Sequence, residues 1–164
     1  MKQFVKYISK SVGVAVVAFY VVGFMGVPSL SKKAYATTPE EALIGYWVTP
    51  ENDGVFKIEH CGKALCGNLV GLRYDGHDVP HGYDGRSECN IRMLTDFRRT
   101  SGKSNHLTGH VLDPDSGHVY SAQLWSPSPD VLKLRGYVGI PIFGETHTWT
   151  RYKGAPIGPE CKMP

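Results

Sequence analysis

The feature that most constrains this chain is a pair of short signatures placed far apart. Gly45-Tyr46-Trp47 opens a long C-terminal portion, and Arg135-Gly136-Tyr137-Val138-Gly139 leads into Trp149-Thr150-Arg151 near its close. A Trp on a first strand answered by an Arg on a last strand suits a sheet whose two ends must meet. The indole can cover the floor of a closed barrel and the guanidinium can stack on it, a cation–π contact of about 0.5 to 2 kcal/mol depending on desolvation. These residues predict a small closed β-barrel with Trp47 and Arg151 as its floor clamp.

The residues between the signatures agree. Apolar and polar side chains alternate with period two, and the runs are bounded by Gly, Pro, Asn and Asp. Eight strands are expected, near 43–49, 55–60, 65–72, 91–97, 106–112, 118–125, 131–138 and 146–152. Asn52-Asp53-Gly54 and Asp115-Ser116-Gly117 supply turn chemistry between successive strands. The one helical turn expected is Pro39-Glu40-Glu41-Ala42, capped by Thr38. The fold class is therefore all-β, an antiparallel eight-stranded up-and-down barrel, closed or nearly so, with little helix. Closure removes both sheet edges, and a barrel of about eight strands is wide enough to be filled by side chains or to hold one small ligand. Alternation places Phe56, Ile58, Leu69, Ile91, Met93, Leu132 and Leu134 inside with Trp47, Trp149 and Arg151. It places Lys57, Glu59, Arg92, Asp96, Lys133 and Arg135 outside. Phe56 and Trp125 read as plain core.

The chain also resembles a known family. Gly45-x-Trp47, Cys61-Gly62 with Leu65-Cys66-Gly67, Asp113-Pro114-x-Ser116-Gly117-x-x-Tyr120-Ser121-Ala122, Leu134-x-Gly136-Tyr137-Val138-Gly139, and Phe143-Gly144 with Trp149-Thr150-Arg151 are similar to the bacterial exported proteins grouped as domain of unknown function 2147, DUF2147. The barrel device itself is similar to that of lipocalin-like and avidin-like proteins, the calycins. The resemblance spans Leu43 to Tyr152 and implies a fold and a compartment. The family has no settled activity, so it implies no ligand and no reaction.

Export is readable from the first 36 residues alone. Lys2, Lys6 and Lys10 precede an uncharged apolar run from Val12 to Val27, and Ala34-Tyr35-Ala36 is a small-x-small cleavage site. The expectation is a Sec-type signal peptide over 1–36, a single domain over 37–164, and a periplasmic or secreted protein without a stable membrane span. Five of the eighteen Lys and Arg lie in the leader and all fifteen Asp and Glu lie after it, so the mature chain carries a net charge of −2. That balance excludes the concentrated basic face of a nucleic-acid binder.

Four cysteines follow the leader and allow three pairings. Cys61 and Cys66 flank a four-residue connection that a hairpin would bring face to face, which by elimination leaves Cys89 with Cys161. A Cys₄ zinc site fits poorly, because Cys89 and Cys161 do not supply a second closely spaced pair.

The connection from Arg73 to Asn90 is too long for a hairpin turn and is dense in ligand-type side chains. Asp75, His77, Asp78, His81 and Asp84 are the weak candidates for a metal, although their spacing fits no calcium loop and no His-Glu-x-x-His is present. Arg86, at a position where the resemblance implies an Arg, is expected to pair with Asp78 or Asp84. A second group, His106, His110 and His118, suits surface positions on a sheet. No Gly-x-Ser-x-Gly elbow, phosphate loop or dinucleotide fingerprint occurs.

No catalytic residue and no cofactor are expected. The functional reading is an envelope barrel binding a small apolar or amphiphilic molecule, with Trp47, Phe56, Ile58, Leu134, Trp149 and Arg151 as ligand or floor-clamp residues. The alternatives are an accessory module that works through its outer surface, and a metal-dependent hydrolase using the 73–90 loop. An interior cavity of about 300 Å³ or more with one or two convergent polar groups favours the ligand-binding barrel.

Overall fold

The computed structural model of the protein describes residues 38–100 and 105–164. The leader expected over 1–36, with its cut before Thr37, lies outside the described residues. A short helix, α1 (Pro39–Leu43), precedes eight strands: β1 (Gly45–Val48), β2 (Gly54–Cys61), β3 (Ala64–Leu72), β4 (Arg92–Arg99), β5 (Leu107–Leu112), β6 (Val119–Ser128), β7 (Val131–Tyr137) and β8 (Glu145–Arg151). They pair in chain order, and β8 returns to β1 to close the barrel. Thr38 caps α1, its hydroxyl accepting from the Glu41 N–H at 3.2 Å.

Strands that alternate in direction sort the connections onto two ends. One end holds α1 with the β2–β3 and β6–β7 turns. The other holds the turn at 49–53, the long connection at 73–91, the turn at 113–118 and the connection at 138–144. The α1 end is closed. Arg99 Nε and Nη2 each donate to the Glu40 carboxylate at 3.0 Å, His60 Nε2 lies 3.2 Å from Glu41 Oε1, and Leu43 is fully buried.

Arg99 lowers the pKa of Glu40, chiefly through these hydrogen bonds. The pair therefore stabilises the fold above the ordinary Glu pKa, and the contribution is lost as pH falls through the lowered folded value. Glu40→Gln should destabilise modestly at neutral pH, with the gap in Tm closing as pH falls below the ordinary carboxylate range. A gap that widens on acidification would contradict the assignment.

Above that plug the interior is packed. Trp47, Phe97, Ile58, Leu65, Leu94, Leu107, Leu124 and Leu132 are almost wholly inaccessible, and Phe56 stacks on Trp149 with ring centroids 4.5 Å apart. Two interior glycines record the tightness. A Cβ on Gly67 would lie 2.7 Å from Leu94, and one on Gly109 would lie 2.6 Å from the Thr95 carbonyl and 2.7 Å from the Phe97 ring.

Two inside–outside expectations need correction. Leu94 and Phe97, rather than Ile91 and Met93, point inward on β4; the latter two pack half-buried at the margin of the core. The cause is two register shifts: against β3, Leu94 pairs with Gly67 and Arg92 with Asn68, which leaves Met93 as an extra residue, and a second shift between Thr95 and Arg98, where Asp96 adopts φ 58°, makes Phe97 the next inward position. Trp125 is not core: Leu124 takes the inward position and Trp125 stacks against His106 on the outer wall, centroids 4.3 Å apart.

Both disulfides form, Cys61–Cys66 and Cys89–Cys161, with Cα separations of 5.8 and 5.5 Å. Such bonds persist in oxidising compartments. The second ties the C-terminal segment across the outside of β1 to β3. There Met163 and Ile157 cover Val48, Val55 and Val70 in a second, smaller apolar cluster, and the Met163 N–H donates to the Leu72 carbonyl at 2.9 Å. Among the described residues, no helix is long and apolar enough to cross a membrane.

Candidate functional site

The end of the barrel opposite α1 is open. Along β7 from the floor, Leu132 is fully buried and Leu134 nearly so, and the next inward position, Gly136, has no side chain. A Cβ there would meet only Val111 Cγ1, at 3.8 Å. Space that is full at Gly67 and Gly109 is therefore vacant at Gly136, and a cup of about 450 Å³ opens above it. Val111, Leu134, Val138 and Phe143 supply apolar wall, while Tyr120, Glu145 and His147 supply polar groups. Glu145 and His147 reach the cup because they share the inward parity of Trp149 on β8, and His147 Nε2 stands 3.9 Å from Glu145 Oε1.

One lip of the cup is the 138–144 connection, where Phe143 is 81 % and Ile142 74 % exposed. This lip is fixed rather than slack. Arg135, on the outer face of β7, donates from Nε to the Pro141 carbonyl at 2.6 Å, from Nη2 to the Ile142 carbonyl at 3.2 Å and from Nη1 to Thr146 Oγ1 at 2.7 Å.

At the closed end the Arg151 guanidinium lies 3.7 Å from the Trp47 ring centroid. Its Nη1, Nη2 and Nε donate to the carbonyls of Ile44, Ala42 and Pro129 at 2.6, 2.8 and 3.1 Å, and Trp47 Nε1 donates to the Leu43 carbonyl at 2.7 Å. Gly45 has φ 127°, and a Cβ on it would lie 2.5 Å from Arg151 Nη1. The Gly of Gly-x-Trp thus leaves room for the Arg that stacks on the Trp, with a backbone angle that a side chain would strain.

A family profile described as "Uncharacterized protein conserved in bacteria (DUF2147)" matches residues 45–151, from that Gly to that Arg. The chain belongs to the DUF2147 family. Among solved structures it is similar to one titled "Protein HP1028 from the human pathogen Helicobacter pylori belongs to the lipocalin family", at 18 % identity and a TM-score of 0.56. That match covers 68 % of this chain and 83 % of the other, and it concerns the fold alone. No curated protein matches the chain.

The residues of this DUF2147 barrel singled out by sequence fall into separate places. Of the six ligand or clamp candidates, only Leu134 lines the cup; Trp47, Phe56, Ile58 and Trp149 are packed core, and Arg151 belongs to the closed end. Among the loop candidates, His77, Asp78 and His81 border a separate surface hollow of about 500 Å³. Asp84 is turned to Arg86, which donates to it from its backbone N–H at 3.0 Å and from Nε at 2.6 Å. Those bonds, the backbone one foremost, lower the Asp84 pKa. Among the described residues, no group of three or more His, Cys, Asp or Glu could hold a metal ion. His106, His110 and His118 are not gathered: His106 faces Trp125 and His110 lies on the outer wall, while His118 sits at the open end beside Tyr120, ring centroids 6.2 Å apart.

The 73–90 connection has a structural anchorage. Its Tyr83 N–H donates to the Pro114 carbonyl at 2.7 Å, and the ring occupies the place a Cβ on Gly117 would take. The Asp113-Pro114-x-Ser116-Gly117 motif builds this dock. Asp113 accepts from Ser116 Oγ at 2.5 Å and from the Asp115 N–H at 3.0 Å, and the Ser116 bond is the main reason its pKa is lowered.

A larger hollow, about 600 Å³, lies outside the barrel beneath the C-terminal segment, between Tyr46 and Val70 on one side and Tyr152 and Ile157 on the other. The smaller cup is the better candidate, because its walls are paired strands, which hold a site more tightly than an irregular segment can. Sequence reasoning missed Tyr120, Gly136, Glu145 and His147. The signal was present for two of them, since the parity that turns Trp149 inward also turns His147 and Glu145 inward.

Proposed function

We propose that this protein is an exported, non-enzymatic binding protein that takes a small apolar or amphiphilic molecule into the open end of its barrel. The observation that carries the reading is the cup above Gly136: about 450 Å³, walled by apolar side chains and edged by Tyr120, Glu145 and His147. Its size and composition fall within the usual range for small-molecule pockets, about 300 to 1,000 Å³. No Ser, Cys or Lys lines it, which favours binding over covalent catalysis. The exposed apolar lip supports the same reading, since a sparingly soluble molecule meets apolar surface before it enters.

A neutral fluorescent probe, N-phenyl-1-naphthylamine, tests the proposal. Wild-type protein should bind it with a Kd in the micromolar range, roughly 1 to 50 μM. Gly136→Phe, which fills vacant space, should weaken binding at least about tenfold while leaving thermal unfolding within a few degrees of wild type. Undiminished binding by Gly136→Phe would remove the cup as the site. Loss of binding on Tyr152→Ala instead would move it to the outer hollow.

A further inference from the structure

The charge lining of the cup carries an inference that rests on the binding reading above and names the head group of the ligand. The only formally charged carboxylate among the lining residues is Glu145, whose side chain is 84 % exposed at the lip, and neither Lys nor Arg lines the cup. The Arg nearest in sequence to the cup's wall, Arg135, points to the outer face, and Nε, Nη1 and Nη2 each already donate to a lip carbonyl or to Thr146. His147 is the one lining side chain able to share the Glu145 charge, and at 3.9 Å it stands beyond hydrogen-bond distance. An anionic head at this lip would meet a carboxylate and no Lys or Arg among the lining residues. A cationic head would meet an acceptor already in place, with Tyr120 and His147 beside it as further polar partners.

We infer that the cup selects amphiphiles whose apolar chain enters above Gly136 and whose head is an ammonium or similar cation held by Glu145, and that it discriminates against fatty-acid-like carboxylates. The discrimination combines attraction of the cationic head with repulsion of the carboxylate.

Dodecylammonium and dodecanoate have the same chain length and opposite heads, and both can displace N-phenyl-1-naphthylamine below their micelle thresholds. At pH 7.5 and low salt, dodecylammonium should displace the probe at about five- to tenfold lower concentration than dodecanoate. Glu145→Gln should reduce that ratio to about twofold or less and Glu145→Lys should invert it, each ratio taken against that variant's own probe affinity. Raising sodium chloride to about 0.5 M should shrink the wild-type ratio as well. Equal displacement by the two compounds, preference for dodecanoate, or a ratio unchanged in Glu145→Gln overturns the head-group inference and leaves the cup as a binding site. Failure of the probe to bind, or a head-group preference that survives Gly136→Phe, overturns it together with the reading on which it rests.

Discussion

Arg151→Ala should destabilise the protein by about 2 to 4 kcal/mol in urea unfolding, a large share of what a small domain possesses. The substitution removes the cation–π contact at 3.7 Å and leaves the carbonyls of Ala42, Ile44 and Pro129 without the donors that now reach them. It also removes an alkyl stem that packs at the floor. Burial lowers the Arg151 pKa, opposed by Asp130, so the guanidinium is partly withdrawn from water and its bonds weigh more than surface ones. Arg151→Lys should recover only part of the loss, because a point charge reproduces neither the planar stack nor three divergent donors. Combined with Trp47→Phe, Arg151→Ala should cost about 1 kcal/mol less than the sum of the single losses. Strict additivity, or a neutral Arg151→Ala, would show that the contact contributes nothing to stability.

Replacing both Cys89 and Cys161 by Ser should cost about 3 to 4 kcal/mol, because that bond closes a loop spanning 72 positions and restricts the unfolded chain accordingly. The double replacement avoids leaving a reactive lone thiol. The urea m-value should rise, since an uncrosslinked chain exposes more surface on unfolding. The C-terminal segment should also become the first site of protease cleavage, as its remaining hold on the outer wall is the small Val48, Val55 and Met163 cluster and a few hydrogen bonds near Leu72. A loss below about 1 kcal/mol with an unchanged m-value would mean that the segment stays docked without its covalent tie.

Much of the architecture was legible because it rests on local rules. Alternation and turn chemistry placed all eight strands, and Thr38 followed by Pro39 placed α1. What alternation could not place was β4 around Leu94, since the extra residue at Met93 and the left-handed residue at Asp96 leave no mark in side chains that would be ordinary on an alternating strand. The second cluster was missed for a different reason. Val48, Val55 and Val70 are apolar on the outward parity of half-buried strands, a sign that something covers that wall, but the cover comes from a segment without periodicity of its own. The vacancy that makes the cup was not legible. Gly136 reads the same whether it marks a bend, a crowded contact or a vacancy, and only the distances around it distinguish these.

The closing ladder between β8 and β1 pairs Trp47 with Arg151 and Val48 with Thr150, joining residues about a hundred positions apart, whereas every other ladder joins consecutive strands. Chain entropy therefore orders the assembly: adjacent hairpins can form early, and the closing ladder pays the largest loop-closure cost for the shortest reward. Until it forms, β1 and β8 are open edges able to pair with another copy of the chain. Because Cys161 lies just beyond β8 and Cys89 just before β4, formation of their disulfide shortens the closing search and the lifetime of those edges. Oxidative folding of this barrel is thus also protection against its own aggregation.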